Sequence, residues 1–249
     1  MGCAQRPART LPLQPQSQKL TLLDLKPTNA SKAQPQIAFE IITFELPKAK
    51  VQEIGVALAS FIPKGVRFRD ESLFSKNGLF LFRGKSDERG QLTQQLRLLN
   101  AKRTMRTTLM TLDKTAELFP TNTFPVERYI FSVSYGDQST AQAFLPGQIG
   151  WMITPALTLR RDAVEVNIAP VYAPFEGASI RLAAGRNEYG ETPFPQGQFN
   201  LTMQEGDFVI LAPSRAATQT SLDKMLFEPS EKKDVIQLYV IVFIRADQE

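Results

Sequence analysis

The chain has no histidine and one cysteine, Cys3. Without histidine it lacks the side chain most used for proton transfer near neutral pH, and the commonest metal ligand. With one cysteine it can form neither an intrachain disulfide nor a thiolate metal cluster. No run of about 18 apolar residues occurs, so no transmembrane helix is expected. No block of five or more like charges is present, and no internal repeat. A phosphate-binding loop is also missing. Lys76-Asn77-Gly78 reads as a tight turn before a strand, with no helix to aim at an anion. Asp113-Lys114 and Asp223-Lys224 are adjacent opposite charges, which read as surface pairs rather than acid/base pairs. Ser134-Tyr135-Gly136-Asp137 has no base beside it. The sequence therefore predicts no catalytic residue, no cofactor and no metal site: the chain is not expected to be an enzyme.

What is present is a well-stocked core. Of 249 residues, 43% are hydrophobic, enough for one large domain or two small ones. Seventeen prolines, seventeen phenylalanines and many short apolar runs point to a strand-rich fold. Basic residues exceed acidic ones, 29 to 25, and the two are interspersed. That pattern is a solvated surface and predicts no nucleic-acid partner. An anionic membrane surface explains the mild basicity equally simply.

The first 35 residues read as an extended arm. Pro7, Pro12, Pro15, Pro27 and Pro35 sit among polar residues, which opposes helix and favours solvated chain. The Leu20–Leu25 patch could add a strand to a sheet edge. Gly2-Cys3 has three readings. It resembles the end of a bacterial lipobox, where the cysteine is lipidated, although no apolar signal segment precedes it. It could mark myristoylation at Gly2, although Arg6 stands where Ser or Thr is needed. Or Cys3 is an exposed cysteine without a role.

From Gln36 the pattern becomes structured. Ile37, Phe39 and Ile41 alternate with their neighbours as in a strand. Pro47 opens a helical stretch with Val51, Ile54, Leu58 and Phe61 on one face, closed by Pro63 and Gly65. Leu79–Phe82 is a short strand. Ser86 or Asp87 can cap a helix whose narrow stripe of Leu92, Leu96 and Leu99 suits packing on a sheet. After Asn100 almost everything reads as β. Strands are predicted at Thr104–Leu112, Ala116–Phe119, Tyr129–Tyr135, Ile149–Ile153, Val164–Ile168, Phe208–Leu211 and Val235–Ile244. The alternation along most of them implies one apolar and one wet face, which suits a barrel wall and a sandwich alike. Val235–Ile244 differs. Only Gln237 and the Tyr239 hydroxyl interrupt its apolar groups, so both faces should be dry. That length matches a buried central strand or one bilayer-crossing strand.

The order of these segments resembles the core domain of the secretins, the outer-membrane rings of type II and III secretion and type IV pilus systems. QIAFEIITFE at Gln36–Glu45 looks like the opening strand of that core. Gln91–Asp113 looks like its helix and following strand, and Ala116–Pro125 like the next short strand leading to a proline. GQIGWMITP at Gly147–Pro155, a polar turn at Arg160–Asp162 and VEVNI at Val164–Ile168 resemble the glycine–strand–proline–turn–strand signature. Glu205–Leu211, Leu222–Phe227 and Lys232–Ile244 resemble the ending, where an acidic-Gly turn feeds a strand, a Leu-Phe segment follows and an apolar strand closes the core.

The resemblance spans residues 36 to about 246 and implies a mainly β fold with two or three short helices (α+β). Residues 36–249 would form a secretin-like β core whose sheets contribute to an oligomeric double-walled barrel, with 1–35 as arm and possible lipid tether. The strands expected to build and assemble it carry Trp151, Ile153, Pro155, Val164, Val166, Ile168, Leu238, Val240, Val242 and Ile244. The implied function is a non-enzymatic subunit of a homo-oligomeric ring or pore in the bacterial outer membrane, with a periplasm-facing portion. Its implied partners are further copies of itself, the lipid bilayer and other envelope or secretion-system proteins. Three departures bear on the gate and on docking rather than on the β core. Only the arm precedes the core, Ala212-Pro213-Ser214 replaces paired glycines, and Arg245-Ala246 replaces a final proline. Two other functions fit the same pattern: a non-pore scaffold or ring component of a larger envelope complex, and a soluble β-sandwich binding module. If the chain is tethered, mass spectrometry of the native protein will find lipid on Cys3, and an unmodified Cys3 refutes the tether.

Overall fold

A computed structural model describes residues 35–136, 138–158, 163–175, 191–214 and 221–247. The arm up to residue 34, with Cys3 and Leu20–Leu25, lies outside the described residues, as do Asp137 and the expected turn at Arg160–Asp162. The chain runs β1 (Gln36–Pro47), α1 (Val51–Ala57), β2 (Val66–Phe68), α2 (Glu71–Lys76), β3 (Leu79–Gly84), α3 (Arg89–Leu98) and β4 (Lys102–Leu112). It continues with β5 (Glu117–Phe124), β6 (Arg128–Val133), β7 (Ser139–Phe144), β8 (Gly147–Leu157), β9 (Ala163–Pro174) and β10 (Thr192–Pro193). β11 (Phe199–Gln204), β12 (Phe208–Pro213), α4 (Leu222–Phe227) and β13 (Val235–Asp247) complete it. The fold is mainly β with four short helices.

The strands form two open sheets and a separate hairpin. The first sheet has the order β3-β12-β13-β1-β4, and the second runs β2-β11-β9-β8-β5 with β10 paired to β9. Among the described residues all pairings are antiparallel, and β6 and β7 pair only with each other. Side-chain alternation divides the first sheet cleanly. Ile37, Phe39 and Ile41 of β1, Val209 and Leu211 of β12, and Tyr239, Ile241 and Phe243 of β13 meet the second sheet. There they join Trp151 and Ile153 of β8, Val164, Val166 and Ile168 of β9, and Leu201 and Met203 of β11. On the other face, Phe208 and Ile210 of β12 and Leu238, Val240 and Val242 of β13 pack against Ile54 of α1 and Leu92 and Leu96 of α3. The first sheet is thus the middle layer between two helices and a second sheet. Both faces of β13 are dry, as its composition requires.

Prolines and glycines sit where backbone geometry allows. Pro155 lies where β8 has run past the end of β5, and Pro170 lies between the stretches of β9 that pair with β11 and with β10. Neither removes a ladder bond from a fully paired position. Gly150 of β8 faces the bulge of β5 at Thr121, where an added Cβ would come within 2.1 Å of the Phe119 carbonyl oxygen.

Several expectations need correction. Two helices, α2 and α4, were not anticipated. Each has six residues, too few for a helical period to show. Lys76-Asn77-Gly78 does form the tight turn before β3, but as the C-terminal end of α2: Asn77 and Gly78 donate N–H bonds to the carbonyls of Leu73 and Ser75, and Gly78 takes φ 77°. The helix expected to include Phe61 ends at Ala57, yet Phe61 is still buried. The α3 entry is a 3-10 turn, Ser86–Glu88, and Glu88 caps it by accepting the Lys85 N–H at 2.6 Å. The Tyr239 hydroxyl, which interrupts the apolar run of β13, does not reach solvent. It is buried and donates to the Leu226 carbonyl at 2.9 Å, and burial pushes its pKa far above the ordinary phenol value. Among the described residues no helix is long and apolar enough to cross a membrane.

Because β13 is covered on both sides, parity should not matter there. Val240→Asp and Ile241→Asp point to opposite layers, and each buries an unpaired carboxylate. Each should cost several kcal/mol and lower the urea midpoint to a similar extent. Tolerance of one but not the other would show that one face is wet.

Candidate functional site

The first sheet ends differently on its two sides. At β3 the outer edge is occupied: Arg83 donates its backbone N–H to the Phe61 carbonyl at 3.2 Å. Its guanidinium donates to the carbonyls of Lys64 at 2.8 Å and Thr202 at 2.6 Å, and lies 3.4 Å from buried Asp207. At β4 the ladder stops. β4 has eleven residues, KRTMRTTLMTL, with no glycine or proline and four β-branched threonines. These hold an extended strand by local preference. Among the described residues it pairs with β1 alone, and Thr111 is its only buried residue. Lys102, Arg103 and Arg106 cluster at one end, and the register skips Thr104 in a bulge. Charge and bulge are the usual devices that keep an open edge from indiscriminate pairing. Arg106 also reaches across to ion-pair with Glu40, which is buried on β1. At the turn after β4, the Leu157 N–H donates to the Asp113 carboxylate at 2.8 Å, and the Lys114 N–H to the Pro155 carbonyl at 2.8 Å.

The β6–β7 hairpin is the second exposed feature. Side chains, not a neighbouring strand, close the outer edge of β6. The Asn77 carboxamide, fully buried, accepts the Val133 N–H and donates to the Val133 carbonyl, each at 2.9 Å. Its second N–H donates to the Leu73 carbonyl at 2.8 Å. Ser221 does the same for Phe131: its hydroxyl accepts the Phe131 N–H at 2.9 Å, and its own N–H donates to the Phe131 carbonyl at 3.0 Å. Ile130 and Phe144 dock on the core, whereas Tyr129 (60% exposed), Phe131 and Tyr135 face outward. Each strand has six residues, short of the nine to eleven or so that cross a bilayer.

The residues singled out from sequence lie inside the chain. Trp151, Ile153, Val164, Val166 and Ile168 are buried between the two sheets. Pro155 is buried as well, opposite Val166 in the β8–β9 register. Leu238, Val240 and Val242 face the helices, and Ile244 is half-buried near the end of β13. The exposed surface belongs to other residues, those of β4 and of the hairpin.

One group corrects the sequence reading more sharply. Asp223 is not in a surface pair with Lys224: it is 7% exposed, on the inner side of α4. Leu222, Leu226 and Phe227 are buried with it. Asp223 lies one turn before Phe227, and that four-residue spacing was the available signal. α4 is held at both ends, by the Ser221 bonds to β6 and by the Tyr239 hydroxyl on Leu226. Asp223 lines an open cleft of about 240 Å3 with Lys48, Gln52, Ser214, Lys224, Phe227 and Glu228. Lys48 is paired with Glu228 at 2.7 Å. The Oδ1 atom of Asp223 has no hydrogen-bond partner among the described residues. Burial pushes its pKa up from 3.8 to about 7, against smaller opposing effects of the Lys224 backbone and charge.

The described residues hold no group of three or more His, Cys, Asp or Glu side chains that could bind a metal. No protein-family model matches the chain, no curated protein matches it in sequence, and no solved structure matches its fold.

Asp223 gives stability a definite pH dependence. Its folded pKa lies above its unfolded value, so the folded state holds the proton longer as pH rises. Below about 4 both states are protonated and nothing is lost. Between about 4 and 7 only the unfolded state ionises, and stability falls, by a few kcal/mol in all. The chain has no histidine, the usual titrating side chain of that range. Urea midpoints at pH 4.5 and 7.5 should therefore converge in Asp223→Asn. An unchanged difference in the variant would assign the effect to other groups.

Proposed function

We propose that the chain is a non-enzymatic subunit of a homo-oligomeric, secretin-like ring or pore in a bacterial outer membrane, with a portion facing the periplasm. The observation that carries this reading is the β4 edge: an eleven-residue strand that, among the described residues, pairs on one side only, with seven of its residues exposed. A monomer gains nothing from an extended unpaired edge, and a ring removes such edges by pairing each copy with the next. The order of sequence motifs supports the same reading. So does a middle sheet already dry on both faces, which can be extended sideways without exposing its core. In this reading the sheets of neighbouring copies join into the walls of a double-walled barrel. No single copy has strands enough to close a wide barrel alone. The bilayer and other envelope or secretion-system proteins are its further partners, and Cys3 is its lipid tether.

A second reading rests on a different observation. The two sheets bury one common core within one chain, so folding needs no neighbour. That suits a soluble β-sandwich binding module, or a scaffold ring that crosses no membrane.

Proline substitution on β4 separates them. Along an antiparallel strand, N–H groups point alternately towards and away from the partner. Of Thr107→Pro and Thr108→Pro, one removes a bond to β1, and the other touches only the free edge. The ring reading predicts that the wild type sediments in detergent as a multi-copy particle. One of the two variants should keep its circular dichroism spectrum and fall to the mass of a single chain. A wild type that is already a single chain in detergent and in buffer supports the binding module.

A further inference from the structure

Arg83 carries a positive charge that its surroundings do not closely match. Its side chain is 13% exposed, so most of the guanidinium is shielded from water. A shielded charge needs a close partner of opposite sign. The short hydrogen bonds of Arg83 go instead to neutral acceptors, the carbonyls of Lys64 at 2.8 Å and Thr202 at 2.6 Å. The carboxylate beside it, Asp207, stands 3.4 Å away and is held more closely by Lys85, at 2.8 Å. Asp207 also accepts the Gln204 N–H at 3.1 Å. Two cations thus share one buried carboxylate, and one positive charge is left over.

That excess lies at an open cleft of about 440 Å3, between the loop after α1, the end of β3 and the entry to α3. The volume falls in the range of roughly 300–1,000 Å3 typical of small-molecule sites. Lys64 and Lys85 line it and are both exposed. Lys64 pairs with no carboxylate among the described residues. Lys85 keeps N–H groups beyond the one it gives Asp207. Ser60 accepts from Gln91 at 3.0 Å, which leaves its O–H to donate into the cleft. Glu88 is the acid on the wall, and it spends one oxygen on the Lys85 N–H. Gly65 makes room for the guanidinium, since a Cβ there would lie 3.0 Å from a terminal nitrogen of Arg83.

The balance of charge fits one negative charge rather than two. Lys64, Arg83 and Lys85 outnumber Glu88 and Asp207 by one. A phosphate dianion would exceed that balance and face Glu88, whereas a carboxylate matches it. Ile62, 57% exposed on the same wall, offers an apolar contact beside the cations.

We propose that this cleft binds an organic carboxylate with a short apolar body. Lys64 and Lys85 donate to the carboxylate, Arg83 adds its charge from beneath, and Ile62 meets the apolar body. The carboxylate can belong to a free small acid or to the C-terminus of a polypeptide. The site is at the β3 side of the middle sheet, at the far edge from β4, and stands whether or not the chain forms a ring.

The test is saturation transfer from the full-length protein to the methyl protons of isobutyrate. Isobutyramide serves as the neutral control of the same shape. The expected result is a saturable signal with isobutyrate and none with isobutyramide. Lys64→Glu should weaken binding at least about ten-fold, because it turns an attraction into a repulsion. Lys64 is exposed, so this variant should keep its circular dichroism spectrum. Lys85→Gln is the second variant and should weaken binding as well. Arg97→Glu makes the same charge change on the exposed side of the last turn of α3 and should leave binding unchanged. No saturable signal in the wild type, an equal signal with isobutyramide, or undiminished binding in Lys64→Glu overturns the proposal. So does inorganic phosphate that displaces isobutyrate more effectively than acetate does. N-acetylvaline separates the two sources. Binding tighter than that of isobutyrate assigns the site to a polypeptide C-terminus, and equal or weaker binding assigns it to a free acid.

Discussion

The burial of β13 on both faces is the constraint on which the rest of the fold depends. A strand that carries Ile241 and Phe243 on one side and Val240 and Val242 on the other cannot lie on a surface. It needs two covering layers, and the rest of the chain supplies them. The second sheet covers one face, and α1 and α3 cover the other. β1 and β12 flank β13 and share its two-sided burial. The middle sheet loses this cover towards β4, where only Thr111 remains buried.

A second group of contacts is polar and local. Asn77 and Ser221 each offer β6 one donor and one acceptor, as a strand residue would. They fix the hairpin without extending either sheet. Ser221 begins α4, whose other end is held through Leu226 by Tyr239 of the middle sheet. α4 thereby joins hairpin and sheet, and it holds Asp223 at the cleft between these anchors. The segment is short, but it carries more of the polar organisation than its six residues suggest.

Much of this was legible in the sequence. The strict alternation of Ile149, Trp151 and Ile153, and of Val164, Val166 and Ile168, placed the right faces inward because each strand has one covered side. The near-continuous apolar run at the end announced a strand dry on both sides. The leucine stripe of α3 announced a helix lying on a sheet. Other elements carried no such mark. β7 is STAQAF, small and polar, because its outer face and edge are wet. α2 shows no period because it is shorter than two turns. Asp223 beside Lys224 looked like a surface pair, since charge pattern alone does not reveal which side of a six-residue helix is inside. The open edge of β4 was hidden for another reason. A threonine-rich strand reads the same with one neighbour or two, and only the sheet order shows that β4 has one among the described residues.

Amide hydrogen exchange on the dilute protein, compared with the same protein at high concentration in detergent, tests the central claim most directly. A middle sheet with β13 and β1 at its centre, and with β4 at an edge that has no further strand among the described residues, makes β13 and β1 the slowest-exchanging strands in both states. In the dilute state β4 should exchange in alternation, with every second amide fast because it faces solvent at the free edge. Concentration in detergent should protect those alternate amides as neighbouring copies pair along β4. Uniform protection of β4 in the dilute single chain, or alternate amides that stay fast under all conditions, would contradict an edge built for assembly.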